Sequence, residues 1–520
     1  MAEYTSRTTL LGLALLCALV GAVAFQGSRG LYESTEGRYA ECAREMIVTG
    51  DYLRPTLDFA PHWTKPPLTY WAIAAGVQIL GRNAWGARGF LIPTFFLTVL
   101  GVYWLGRWLW APRTGSVAAL IYATSWGPAG AASTVNADSL LTLWETLALA
   151  CFWWGVRSRR NRAAGLMWFF FGMAFFTKGP PALLPLLALG VFRALTRDRS
   201  VRSAPFFVPA GIGLFLAVGL WWYALSMVRY PGLLPYWLKH EVVGRVATEE
   251  FHRNAQWYKM FTVYWPFLLG GALPWLAVTV LGHGRALWAF FGGFRRWRLP
   301  DALSDLKTTF KDLSAEGLFL LVAFFVPLTV FSLSRSRMPL YILPLFPVVA
   351  CFLARHVDSL AARGFGSRRK MAAVALVSTA IIITGKGVAA HWPSKRDMGA
   401  IFRALEAAVP PKDRSGTPLY LVSQSPCYGL QFYWGDPFIR IHRSPDEAPD
   451  VGFLPFSALW ADMGLNPTSG SAGRLAVTRK ENAPFLEDAL QRRGHRVATK
   501  PLTPHWSLLE VSPPDGGVKE

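Results

Sequence analysis

Apolar residues recur along this chain in long runs from Leu10 to Ala390, separated by short polar stretches. A run of about 20 apolar residues matches the hydrocarbon thickness of a bilayer and predicts a transmembrane helix. The first run, Thr8 to Phe25, follows Arg7 and has the look of a signal h-region. It lacks a convincing small-x-small cleavage site before the polar stretch and many more spans follow, so it reads as an uncleaved first helix. Further spans are predicted near 87–109, 115–134, 139–156, 165–177, 181–196, 206–228, 260–282, 316–333, 338–354 and 371–390. One more apolar stretch, Pro67 to Leu80, is short for a crossing and starts on Pro66-Pro67, which suits a helix lying at the interface.

Charge fixes the orientation. Arg157/Arg159/Arg160/Arg162, Arg193/Arg197/Arg199/Arg202, Arg295/Arg296/Arg298 and Arg355/Arg363/Arg368/Arg369/Lys370 cluster between apolar runs and belong on the cytoplasmic side. With the first helix running outward, all four clusters fall inside only if 67–80 does not cross. About eleven spans result, with the N-terminus inside and the C-terminus outside. Residues 1–391 then form a transmembrane domain with outer loops at 27–86 and 229–259, and 392–520 form a small periplasmic α/β domain. Strand-like runs at Leu419–Ser423 and Arg474–Val477 and an amphipathic helix near Asn482–Arg493 support the last assignment.

Composition agrees. Of 520 residues 52% are apolar and 16% charged, against about 25% charged in soluble domains, which excludes an ordinary soluble enzyme, a disordered chain and a coiled coil. The net charge of +21 is what cytoplasmic arginine clusters produce and does not call for nucleic acid. The five cysteines form neither a CxxC pair nor a disulfide framework, and Cys17, Cys151 and Cys351 lie within apolar runs.

Membrane topology leaves several polar residues unexplained. From Arg38 to Ile47 the first outer loop has helical character, with Thr35 as an N-cap and Glu36 in the first turn. Lys65 stands directly before the proline-led helix, either snorkelling to headgroups or fixed as a cation near the phosphate plane. Asp138 is an N-cap candidate for the span from Ser139. Lys178, on the outer side against the charge rule, calls for a specific counter-charge. The second outer loop adds Lys239-His240-Glu241, Arg245 and His252-Arg253 among aromatic residues, and Arg335 and Arg337 occupy a further outer turn. This concentration of outer cations points to a phosphate-bearing ligand.

Glu36-Gly-Arg-Tyr-Ala-Glu41, Ala43-Arg-Glu-Met46, Gly50-Asp51, Lys65-Pro66-Pro67, Ala137-Asp138, Thr177-Lys178-Gly179-Pro180 and Met338-Pro-Leu-Tyr341 together resemble the bacterial GT-C glycosyltransferases. The nearest branch is the aminoarabinose transferase and protein O-mannosyltransferase superfamily, glycosyltransferase family 39-like. The resemblance implies transfer of a sugar from a polyprenyl-phosphate carrier to a periplasmic acceptor, at the bacterial inner membrane, with two juxtamembrane helices in the first outer loop. By position it makes Lys65, Lys178 and Arg245 phosphate-binding cations, with Arg38 and Tyr39 beside them, and adds His62, His240 and Arg337 as further candidates. Asp138 resembles the second acidic-loop residue. Thr35 and Thr64 stand where the family has Asp and often Glu, which removes two oxygen ligands a divalent metal would use and leaves Glu36, His62 and Asp138 as substitutes.

The chemistry needs fixed cations where the leaving phosphate gains charge, the role expected of Lys65, Lys178 and Arg245. A phosphate acceptor such as that of lipid A is already nucleophilic near neutral pH, whereas a hydroxyl acceptor would call on Glu36 or Asp138 as base. A flippase for a lipid-linked sugar and a catalytically impaired homologue with a binding or assembly role are the alternatives.

Overall fold

The computed structural model describes residues 2–244, 254–282, 313–361, 367–409, 419–423, 425–435, 438–444, 453–458 and 474–512. Arg245, His252-Arg253, the 295–298 cluster and Arg363 lie outside the described residues. The chain divides into two units, one of Met1–Ala24, His62–Thr69 and Gly89–Gly387, the other of Phe25–Pro61, Tyr70–Arg88 and Val388–Glu520.

In the first unit the apolar runs become packed helices, as their composition requires. Asp138–Ser158 packs against both Leu91–Leu109 and Asn161–Lys178, and Ala2–Val23 packs on Pro112–Thr124. Small residues set the closest approach: a Cβ on Gly115 would fall 2.5 Å from the Tyr103 carbonyl oxygen, so only glycine lets these backbones meet. Arg157 donates to the Trp108 and Leu109 carbonyls and pairs with Glu316 at 2.7 Å, tying three helix ends together.

Six helices among the described residues are long and apolar enough to cross a membrane: Ala84–Leu109, Asp138–Ser158, Pro209–Arg229, Ala315–Leu333, Pro339–Leu360 and Arg368–His391. The protein is thus a multi-pass membrane protein. Five predicted spans, 8–25, 115–134, 165–177, 181–196 and 260–282, are not among these six, and two of them are broken. The run at 115–134 breaks at Ser125, whose extended backbone separates Pro112–Thr124 from the short Trp126–Ala131 helix. The run at 260–282 is bent by 80° between Met260–Gly271 and Trp275–Gly282, where Pro274 has no N–H to continue the ladder. Leu68–Leu80 is a helix of 13 residues, rising about 20 Å against a hydrocarbon core of about 30 Å.

The second unit combines the first-loop segments Phe25–Pro61 and Tyr70–Arg88 with Val388–Glu520. The reason lies in the hydrogen bonding of residues 30–33: Gly30 N donates to Asp397, Glu33 N to the Arg396 carbonyl, and Met398 N to the Leu31 carbonyl. Among the described residues the C-terminal sheet has five strands in the order Ile439–Ile441, Leu419–Val422, Arg474–Arg479, Trp506–Ser512, Arg496–Thr503. The first three run parallel, with the Tyr428–Trp434 helix in the crossover between Leu419–Val422 and Ile439–Ile441, and the last two complete an antiparallel edge. Tyr420, Val422, Ala476, Leu486, Leu490, Leu509 and Val511 close its core. The expected amphipathic helix is present as Ala483–Gln491.

Helix Thr35–Thr49 packs on Tyr428–Trp434 through a glycine contact. A Cβ on Gly37 would lie 2.2 Å from the Gly429 backbone nitrogen, which cannot swing aside as a side chain would. Gly37→Ala is therefore expected to cost about 1–3 kcal/mol, read as a lowered melting temperature in detergent. An unchanged midpoint would show that the two helices separate freely.

Candidate active site

Helices Asp138–Ser158 and Asn161–Lys178 are joined by a tight turn with Arg159 in the left-handed region (φ 59°), so they run antiparallel. That arrangement sets the first residue of one beside the last residue of the other. Asp138 at a helix N-terminus and Lys178 at a helix C-terminus each suit the local dipole, and they form a buried ion pair. The counter-charge that Lys178 requires is thus Asp138. The helix stops at Gly179, whose φ of +77° and close approach to the Tyr223 hydroxyl both exclude a side chain. Lys178 Nζ also lies 4.4 Å from the centre of the Tyr341 ring.

Lys65 comes from the His62–Pro67 strap. Its Nζ donates to the Thr64 carbonyl at 3.1 Å and lies 3.8 Å from Glu241 Oε2. Trp63 packs between Trp222 and Tyr230, and its carbonyl accepts from Trp237 Nε1 at 2.9 Å. Lys65, Lys178 and Glu241 are the charged side chains among the described residues lining a cavity of about 350 Å³. Its remaining wall is mostly aromatic and aliphatic, with Trp63, Trp222, Tyr223, Trp237, Tyr341, Leu234 and Leu238, and adds the hydroxyl residues Thr64, Ser334 and Ser336. Two cations at the wall of an apolar chamber suit an amphiphile with an anionic head.

Other expected residues are placed differently. Asp138 does not line the cavity, since its carboxylate stands behind Lys178; nor is it an N-cap, because Asn136 Oδ1 accepts from Ser139 N at 2.7 Å instead. Arg337, a further candidate, clamps backbone: it donates to the carbonyls of Ser332, Asn254, Ala255 and Gln256. His62 Nε2 shares a hydrogen bond with Thr64 Oγ1 at 2.8 Å, and His240 packs on the Tyr236 ring.

Glu36, Arg38 and Tyr39 belong to the second unit. Thr35 begins its helix without capping it; Ser34 holds the N-cap position, and its side chain makes no capping bond either. Glu36, the expected candidate base, is bonded by two arginines. Arg88 donates to both its oxygens at 2.8 Å, Arg29 reaches Oε2 at 2.7 Å, and Tyr32 N adds a further bond. Burial alone would raise this carboxyl, but the guanidinium of Arg88 and then that of Arg29 outweigh it and hold it at about 2. Arg38 is half-buried and its charge acts on Glu33, whose carboxyl burial pushes up while the Gly429 and Tyr428 amides, Arg440 and Arg38 draw it down. The Tyr39 ring packs on Tyr70.

Two of the metal candidates are engaged by cations as well. Glu36 is bonded by two arginines and Asp138 by Lys178, and no group of three His, Cys, Asp or Glu fit to hold a metal forms among the described residues. Glu145, two turns along the helix from Asp138, is a buried acid that sequence reading missed, although an acid inside an apolar span is itself a signal. Glu241 is harder to find, since nothing in Lys239-His240-Glu241 separates it from its neighbours.

The family model for dolichyl-phosphate-mannose-protein mannosyltransferases matches residues 64–223. An undecaprenyl phosphate-alpha-4-amino-4-deoxy-L-arabinose arabinosyl transferase of Edwardsiella ictaluri is 32% identical over 355 residues, covering 67% of this chain and 59% of that protein. A second, from Pseudomonas fluorescens, is 30% identical over 68% of this chain and 60% of its own length, so the chain spans about six-tenths of these relatives. The crystal structure of ArnT from Cupriavidus metallidurans bound to undecaprenyl phosphate superposes with a TM-score of 0.71 at 20% identity, covering 97% of this chain and 98% of that one. The fold is that of the GT-C membrane glycosyltransferases. Within that class its sequence matches are to the protein mannosyltransferase family model and to aminoarabinose transferases, a family-39-like likeness.

Proposed function

We propose that this protein transfers a sugar from a polyprenyl-phosphate carrier to a lipid A-type phosphate, or to another glycan or lipid, at the periplasmic face of the bacterial inner membrane. The observation that carries the reading is the cavity in which Lys65 and Lys178 meet an aromatic and aliphatic wall. The lysines hold the carrier phosphate, and the apolar wall takes the first isoprene units. As the anomeric bond breaks, charge accumulates on the leaving phosphate and both lysines stabilise it more than they stabilise the bound donor. By family position Arg245, Arg38 and Tyr39 are further candidates for binding phosphate. A phosphate acceptor is favoured, because Glu36 and Asp138 are held by cations and an ionised phosphate requires no base. The reaction closes with the acceptor oxygen bonded to the anomeric carbon and polyprenyl phosphate released.

The test is transfer by the purified protein from a labelled polyprenyl-phosphate sugar. Wild type is expected to label lipid A, and Lys65→Ala to fall at least about 100-fold, the effect of losing one preorganised charge contact. Vectorial movement of the labelled lipid without transfer would mark a flippase. Near-normal transfer by Lys65→Ala would return that lysine to snorkelling.

A further inference from the structure

Lys65 already faces a carboxylate, and that carboxylate lines the cavity. Glu241 Oε2 stands 3.8 Å from Lys65 Nζ, with the two side chains only 13% and 14% exposed. Lys178 differs, because its partner Asp138 lies outside the cavity lining and does not compete with a ligand there. A second bond holds Glu241 near its place. Trp237, four residues earlier in the wide helical turn Trp237–Val243, donates to the Trp63 carbonyl on the same strap that carries Lys65. Whatever happens at Lys65, the Trp237 bond keeps Glu241 within reach.

The side on which Glu241 stands excludes a role as base. In a displacement the attacking acceptor and its base approach opposite the leaving phosphate, whereas Glu241 touches a cation assigned to that phosphate. We propose that Glu241 is a resident counter-ion for Lys65, displaced when the donor phosphate binds and returning to drive off the polyprenyl phosphate left after transfer. The inference rests on the phosphate reading of Lys65 given above. A monoester product carries more charge than the diester donor, so two uncontested lysines would hold product more tightly than substrate. A competing carboxylate lowers both affinities and shortens the life of the product complex.

The experiment is Glu241→Gln in the full chain, with Glu241→Asp as the charge-conserving control. Donor KM is expected to fall about tenfold, kcat to fall through slow release, and the inhibition constant of undecaprenyl phosphate to drop about tenfold, with Asp close to wild type. Quenching of tryptophan fluorescence on titration with undecaprenyl phosphate reads the same affinity without turnover, since Trp63, Trp222 and Trp237 line the site. A raised donor KM in Glu241→Gln would make Glu241 a substrate contact and overturn the proposal, as would unchanged product affinity. Wild type that binds no polyprenyl phosphate would overturn the transferase reading itself. Wild type that binds it without transfer would leave the binding comparison to decide the role of Glu241.

Discussion

Alanine at Lys178 is expected to lower kcat about 10²–10³-fold, the range for removing one fixed charge from beside a developing anion. Two consequences separate this from general damage. The affinity for undecaprenyl phosphate should fall with kcat, because Lys178 faces the cavity. Stability should fall too, since Asp138 is left buried without its cation. The double variant Asp138→Asn/Lys178→Met removes both charges, and is expected to recover the melting temperature while remaining inactive. Comparing the three proteins by melting and by single-turnover transfer separates the two roles. Recovery of transfer in the double variant would show that Lys178 supports the fold alone.

Glu36→Gln is expected to destabilise the second unit by about 3–5 kcal/mol, because Arg88, 1% exposed, would keep its charge without a counter-ion. Arg88 also donates to the carbonyls of Gln26, Arg29 and Gly30, so the turn before helix Thr35–Thr49 depends on it. The pH dependence has a definite sign. The Glu36 carboxyl is lowered from 4.5 to about 2 on folding, so its contribution is fully present above 4.5 and lost as pH falls toward 2. That contribution is about 3 kcal/mol. Melting curves between pH 7 and pH 2 should fall steeply through this window in wild type and less in Glu36→Gln. Equal acid sensitivity in both would show that other carboxylates control acid unfolding.

The sequence made some of this legible through local rules. The apolar runs locate most helices, and the charge rule alone demands an anion for Lys178. Other features depend on contacts between distant segments. Arg88 meets Glu36 from 52 residues away, and no pattern around either marks the pairing. Arg337 looks like an anion ligand in a polar outer turn until the carbonyls of 254–256 are seen around it. The break at Ser125 falls inside a run whose average stays apolar despite Thr124, Ser125 and Gly127-Pro128, and hydropathy reports the solvent of a segment rather than its continuity. The strand order of the C-terminal sheet is hidden for a related reason: alternation shows that a strand forms and not which strand it joins.

The hydrogen bonds of residues 30–33 have a consequence for biosynthesis. The first loop is made early, yet its partners Arg396, Asp397, Met398 and Tyr433 are among the later residues to leave the ribosome. Insertion of the intervening helices must proceed with Gly30, Leu31 and Glu33 still lacking those partners. The second unit closes only after translation has passed Tyr433 and Arg440, the latter pairing with Asp58. A chain stopped before that point would carry its first loop without these hydrogen bonds and without the Asp58–Arg440 pair.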